Sequence, residues 1–501
     1  MALTRLQQLC IADETVEGTA VAAATLFSAA NAKYLAIDPQ MTFEVETYQR
    51  DVARESFTPL SPLAGAVLGS CSFSLEMSSK ATVTTVSNAP QWDLPLVASG
   101  FRRERLIRLT LSGGVTSNAI SHGTLLTATG TATAIGNYPI GATTVWCTKG
   151  ADNTLGNSTA MAAVALTSNS GATAHGTVTA TDVNSGIGWW PSSVSLYKAT
   201  VVSLTAALNA NDVLVGNSSG AIGIVYYAAG SSATVVYLRR VQGTFTTSDT
   251  ACTVYRNGSV FGGLNPSFSG GSYQQSVDSG GPSGSFFNIA PAVSIGLSKD
   301  GVRESMKGAR GSVSISGNVG EPVLLNFTFQ GIKEAVADGG SVASVTYDDG
   351  TPPVLLGAAM TVGDSNFTAA QRKSFCATSF NYDMASDIQY RRCMTAATGI
   401  DGIYYNGRTP TGTIDPDLSL EVDYDWMDNY FTATNLGVDT TVGTTAPNKF
   451  RVNVLNAAVT AVGQGDRNGI ITRDITFNMS SGSSSSVGGD NEFVIIWDRT
   501  V

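Results

Sequence analysis

Histidine is nearly missing from this chain: His122 and His175 are the two in 501 residues. So little imidazole leaves almost nothing for a serine-type triad or a histidine-ligated metal, and neither residue stands near a G-x-S-x-G or H-E-x-x-H pattern. Both are expected in surface loops. Cysteine is sparse as well. Cys10, Cys71, Cys147, Cys252, Cys376 and Cys393 are scattered without close pairs, which argues against a zinc site and a disulfide framework and leaves buried thiols as the expectation. Charged residues make up 14% of the chain. No run of about 20 apolar residues escapes interruption by Gly, Ser or charge, so no membrane span is expected. Asp13, Glu14 and Glu17 break the apolar run that a signal peptide needs, and the protein is expected to stay in the cell that makes it. No catalytic residue, cofactor or metal ligand is assigned.

What is abundant is glycine (53 residues), serine and threonine, against 43% hydrophobic residues. That mixture predicts many short strands and turns, hence an all-β protein, and the length predicts two to four domains. Charge divides the chain. From Leu111 to Ala290 there are five acids and five bases, so the outer pieces carry the whole net charge of −10. The neutral segment ends in the linker-like "GGLNPSFSGGSYQQSVDSGGPSGSF" and is read as an inserted small β-domain, residues 111–289. Within it, strands such as "GIVYY" and "ATVVYLRRV" alternate with Gly-Ser turns, enough for a small barrel or sandwich.

The outer pieces alternate apolar and polar residues with period two. "SCSFSLEM", "GSVSISG", "LLNFTFQG", "KFRVNVLN" and "RDITFNM" predict strands pointing Phe73, Leu75, Val313, Ile315, Leu325, Phe327, Phe329, Phe450, Val452, Val454, Ile475 and Phe477 inward. "LAIDPQMTFEVETY" and "GTIDPDLSLEVDYD" each place an Asp-Pro ahead of an alternating stretch. Glu44 and Glu46 then share one face, as do Glu421 and Asp423, and the repetition predicts two tandem copies of a domain: 1–110 with 290–335, and 336–501. Between Pro90 and Gly100 a brief helix is expected over 91–99, made irregular by Pro95.

"EGTAV", "AIDPQMTFEVETYQRD", "GSCSFSLEM", "APQWDLPLVASGF", "MKGARGSVSISGNVGEPVLLNFTFQG" and "IYYNGRTPTGTIDPDLSLEVDYDW", in that order, resemble the tail tube proteins of long-tailed bacteriophages. "LVGNSSGAIGIV" in the neutral segment resembles modules of phage virion proteins. The resemblance covers about 1 to 110 and 290 to 480. It implies tube-type β-sandwich or barrel domains that close into rings, with rings stacked in the virion tail as the conduit for the genome, assembled in the host cytoplasm beside other tail proteins. Two tube domains per chain imply a pseudo-hexameric ring of three chains; a plain hexamer is the alternative. The insertion is then an outer decoration.

A DNA conduit must not capture what passes through it, and clustered Lys or Arg would do so by counterion release. Glu44, Glu46, Glu421 and Asp423 are therefore candidates to line the lumen, with an ordinary solvated outer face as the alternative. Double-stranded DNA is expected to pass without specific binding. The segment after "SSGSSSSVGGD" is read as an inter-ring arm through Phe493, Ile495 and Trp497, or else as the last core strand of its own domain.

Enzymatic readings lack a constellation. Asp348, Asp349 and the cluster "EVDYDWMDNY" offer carboxylates, yet their spacing suits one strand surface rather than two walls of a glycosidase cleft. "DDGTPP" and "DGIYYNG" lack the ligand pattern of a calcium loop, and "GARG" lacks the Lys-Ser/Thr ending of a phosphate loop. The one basic run, "FRRERLIR", is read as an interface or solvated stretch. The second functional class is a bacterial surface or pilus-like β-rich adhesion or binding protein.

Overall fold

The computed structural model describes residues 7–498 except 15–17, 51, 53–59, 80–88, 117–118, 122–123, 128–130, 150–163, 169–173, 192–195, 203, 210–211, 220–221, 226–229, 243–245, 257–258, 262–265, 275–291, 348–349, 365–371 and 481–491. The alternating segments form sheets, and the all-β class holds. The chain begins with β1 (Gln7–Asp13), a one-turn helix α1 (Ala23–Leu26), the hairpin of β2 (Ile37–Tyr48) and β3 (Leu63–Glu76), and helix α2 (Asp93–Ala98). β4 (Phe101–Ser112), β5 (Thr144–Lys149) and β6 (Ala174–Pro191) follow. After a long excursion the chain returns through β7 (Val293–Lys299), β8 (Gly301–Asn318), β9 (Leu324–Lys333) and the stub β10 (Ala337–Gly339). Then come β11 (Ala359–Asp364), β12 (Ala377–Asp383), β13 (Ser386–Arg392), β14 (Ile400–Arg408) and β15 (Thr411–Pro416). Helix α3 (Trp426–Phe431), β16 (Asn435–Val442), β17 (Lys449–Val462), β18 (Ile475–Met479) and β19 (Phe493–Asp498) complete it.

One pairing order occurs twice. The first run reads β1–β7–β8–β9–β3–β2, with β10 along the start of β8. The second reads β11–β16–β17–β18–β15–β12, with β19 along the start of β17. Chain order agrees as well: a lone strand, a hairpin, a short helix beside a buried tryptophan (Trp92, Trp426), three successive strands, and a last strand laid on the long one. The runs join where Ser314–Asn318 of β8 pairs with Ser379–Asp383 of β12. The result is an antiparallel series β2–β3–β9–β8–β12–β15–β18–β17. All twelve positions expected to point inward are buried in one core that spans both runs.

The two Asp-Pro motifs are not counterparts. Asp38-Pro39 lies near the start of β2, whereas Asp415-Pro416 closes β15, the counterpart of β3. The expected strand through Glu421 and Asp423 does not form: residues 421–423 turn, and Leu420 and Val422 are both exposed. Local hydrogen bonding explains why. The Asp415 carboxylate accepts from the backbone N–H of Thr378 (2.9 Å) and Ser379 (2.7 Å), tying the strand end to β12. Asp425 caps α3 by accepting from the N–H of Met427 and Asp428, both 2.9 Å, so the run is organised as a helix start rather than a ladder.

The neutral segment is two structures, not one insertion. β4 crosses the expected boundary at 110/111, pairs with β5 and β6, and β6 pairs in turn with β19. Leu106, Leu109, Trp146 and Trp190 build a second core together with Val494 and Ile496 of β19. A separate seven-stranded sheet lies between Leu196 and Gln274, around Leu214, Val236, Leu238 and Val254. The Gly-Ser stretch 275–291 lies outside the described residues.

β19 alternates Phe493, Ile495 and Trp497 into the main core and Val494 and Ile496 into the second. Covered on both faces, it needs an unbroken apolar run. The inter-ring arm is therefore corrected: these residues form a core strand, with β17 on one edge and β6 on the other, and neither edge is left for another ring. The Ser-Gly tract 481–491 is outside the described residues. His175 is also corrected, since it is buried on β6 rather than looped out, while His122 is not described. Cys10, Cys71, Cys147 and Cys252 are buried as expected; Cys376 is exposed and Cys393 half-buried.

In the separate sheet, Asp249 is fully buried and accepts from the N–H of Ser218, Ser219 and Thr246 (2.8 Å each) and from Ser219 Oγ (2.7 Å). Burial pushes its pKa up, but these bonds outweigh that and hold it down to about 2. A carboxyl depressed in the folded state stabilises above its ordinary pKa of about 4, and that contribution disappears as pH falls through the folded value. The protection of amides across 196–274, taken relative to the intrinsic exchange rate at each pH, is expected to fall as pH drops from about 4 to about 2, and Asp249→Ala to weaken this sheet and remove the pH step.

Candidate assembly and conduit surface

Residues directly opposite one another in a ladder share a face. Following the register from β2, Gln40 and Thr42 meet Ser72 and Ser70, and Ser72 and Ser74 meet Thr328 and Asn326. Thr328 and Asn326 meet Ser312 and Ser314, and Ser314 and Ser316 meet Asp383 and Asn381. Asp383 and Asn381 meet Thr411 and Thr413, which meet Asn478 and Thr476. The face away from the core is thus a carpet of hydroxyl and amide side chains, half-buried or exposed, across seven strands. Asp383 is the single charge among these positions, and none is Lys or Arg. The groups also bind one another: Ser74 Oγ donates to Asn326 Oδ1 (2.7 Å), Asn326 Nδ2 to Ser316 Oγ (3.1 Å), and Thr42 and Ser70 share a bond of 2.6 Å.

At one end this face is covered. The β13–β14 hairpin lays Ile388, Tyr390, Ile400 and Ile403 on Ala66, Leu68 and Ile332. Tyr390 donates to the Gly69 carbonyl (3.0 Å), Tyr405 reaches the carbonyls of Gly311 (2.6 Å) and Ala98 (2.9 Å), and buried Arg310 donates to the Ile403 carbonyl. Burial, with Glu44 nearby, pushes the Tyr390 phenol up to about 12.

Of the four acids expected together, Glu44 and Glu46 do share the polar face of β2, beside this hairpin. Glu46 is spent on Arg392, which binds both its oxygens and holds its carboxyl below the usual range. Glu421 and Asp423 lie elsewhere, exposed in the turn before α3. The four are not a matched set, and the broad polar face is neutral rather than acidic. Sequence reasoning passed over its Ser, Thr and Asn, although Ser72/Ser74 and Ser312/Ser314/Ser316 already alternate with apolar residues.

One group of basic side chains lies in a different place. A cleft of about 320 Å³ at the seam of β4, β5, β16 and β17 is lined by Arg108, Arg372, Lys449 and Arg451 with Asp439 and Asp498. There the Asp439 carboxylate bridges Arg372 (3.1 Å) and Arg451 (2.8 Å). From the basic run, Arg103 pairs with Asp93 and Arg108 lines this cleft; the side chains of Arg102 and Arg105 are outside the described residues. A second cleft of about 290 Å³ is lined by Phe101, Met384, Tyr405, Arg408 and Glu492 among others. Neither lining contains His or Cys. No group of metal-ligating side chains occurs among the described residues, and no helix among them is long and apolar enough to cross a membrane.

Tyr405→Phe removes the hydroxyl that fastens the hairpin, whose single proton the carbonyls of Gly311 and Ala98 share. It is expected to lower unfolding stability by about 1–2 kcal/mol in denaturant titration and to raise exchange in 386–408. No protein-family model matches this chain, and no curated protein matches its sequence.

Proposed function

We propose that this chain is a structural virion protein: a self-assembling subunit whose copies form stacked rings of a tail tube that conducts phage DNA to the host. The observation that carries the reading is the wide polar face without Lys or Arg. Duplex DNA presents one negative charge per ~1.7 Å of axis, and a basic wall would hold it by releasing its counterions. A strongly acidic wall would repel it. Hydroxyl and amide groups already bonded to each other do neither, so the lining is close to neutral, with acids at Asp383, at Glu76 on the end of β3 and at the rim near Glu44.

Two further observations support assembly. Among the described residues β2 pairs with β3 alone and offers an open strand edge, a feature that soluble monomers cover or disrupt. Val45, Tyr48 and Leu63 are exposed at the tip of the same hairpin, as are Leu420, Val422 and Phe431 around α3. With two similar runs per chain, three chains complete a pseudo-hexameric ring. The tail is its location, its assembly takes place in the host cytoplasm, and other tail proteins cap the tube.

Negative-stain microscopy over a concentration series tests this. Rings or tubes with a central hole wide enough for a duplex are expected; compact monomers at every concentration overturn the reading. Tubes of a Ser314→Lys, Ser316→Lys, Thr328→Lys variant are expected to retain double-stranded DNA in a salt-sensitive manner. Tubes of the unaltered protein are expected to release it. Equal retention by both means that the polar face does not line the bore.

A further inference from the structure

The chain contains one copy of a joint that it leaves open at both ends. β7 pairs with β8 only as far as Ala309, and on that same edge the outgoing half of β8, Ser314–Asn318, receives β12 of the second run. By the repeated pairing order, β12 is the counterpart of β2, and β8 of β17. In the second run β16 pairs with β17 only as far as Ala458. Beyond it, among the described residues, no strand pairs with Val459–Val462 on that edge. Among the described residues β2 likewise pairs on one side alone.

We infer that the first half of β2 of one copy adds antiparallel to Val459–Val462 of a second copy, head to tail, reproducing between chains the joint between β8 and β12 within each chain. This rests on the self-assembly reading and specifies its partner and its contact. Apart from Pro39, which has no N–H, both edges present backbone N–H and C=O groups that a new ladder would satisfy. The facing of the side chains agrees: at a bulge in the ladder with β18, Val459 and Val462 turn to the core while Thr460 and Ala461 turn away from it. In this arrangement Gln40 and Thr42 continue the polar face beside Thr460, while Met41 and Phe43 lie on the side of Val459. Within the chain, the hairpin that extends from β12, β13–β14, leans across the joint and buries Ile388 and Ile403 on the first run. The matching extension of β2 and β3 carries the exposed Val45, Tyr48 and Leu63, which would come to lie on the second copy in the same way. A head-to-tail contact closes into a ring only where its rotation permits, and each chain contributes two repeats to that ring.

Cross-linking tests the joint in the full chain, with Cys376→Ser and Cys393→Ser removing the accessible thiols. Thr460→Cys is combined in turn with Gln40→Cys and Thr42→Cys, and treated with a short thiol-to-thiol linker, because opposed Cβ atoms lie about 5 Å apart. At least one double variant is expected to give a ladder of covalent multimers ending at the ring number. The corresponding single variants, mixed, are expected to stop at dimers. In unaltered protein, amide exchange at 37–43 and 459–462 is expected to slow on assembly. Rings or tubes in the microscope without these cross-links, or without that protection, overturn the joint while leaving the conduit reading standing. Cross-linked open chains that never close keep the joint and overturn the conduit. Monomers under all conditions overturn both.

Discussion

Four aromatic rings hold the pieces of this chain together. Trp189 of β6 packs on Trp92 at the start of α2 (centroids 4.6 Å apart), Trp92 on Phe450 of β17 (5.9 Å), and Phe450 stacks on Trp497 of β19 (6.3 Å). All four are fully buried. Asp93 fixes the junction by accepting from the Trp189 indole (2.7 Å) and from Arg103, although burial raises its own pKa. Through this contact the first run, the second run and the β4–β6 unit share one interior. Aromatic pairs of this kind contribute beyond the area they bury, and dense packing leaves little freedom to shift one element without the others.

That shared interior explains the two unequal faces of the eight-strand series. One face must be apolar because it covers the core. The other is free to be anything soluble, yet for seven strands it is nearly free of charge. In a protein with an excess of acids this is a choice of chemistry rather than a shortage of charge. The basic groups of the seam cleft neutralise Asp439 in a crevice away from the hydroxyl carpet, and Glu46 is neutralised by Arg392. Charges of both signs are therefore largely paired locally, and the wide face presents hydrogen-bonding capacity without a field.

Duplication provides the second constraint. Two runs with the same pairing order meet through a strand edge, and each run carries its own elaboration: the β4–β6 unit and the separate seven-stranded sheet in the first, the β13–β14 hairpin in the second. The elaborations stand at loops between the repeated pairings, where added chain costs little because closure entropy grows slowly with length. β19 is the exception: it holds the position of the stub β10 but is longer and forms a wall between two cores.

The sequence by itself determined which residues are dry and which are wet within each strand. Period-two alternation located Phe73, Val313, Phe327, Val452 and Phe477, and the same alternation contained the serines of the polar face; the proline and glycine around "QWDLPLVASG" located α2. It could not align one strand with another. Asp38-Pro39 and Asp415-Pro416 look alike because short motifs carry no register, and only the ladders showed that they belong to strands of different rank. Nor did composition mark the true boundary of the neutral segment, because β4 crosses it in mid-strand. Whether "FVIIW" reaches out or stays home depended on β6 and β17 closing both its edges, from just over 300 residues away in the case of β6. Hydrophobic pattern is local and is written in the chain; pairing is long-range, and only the folded sheet decides it.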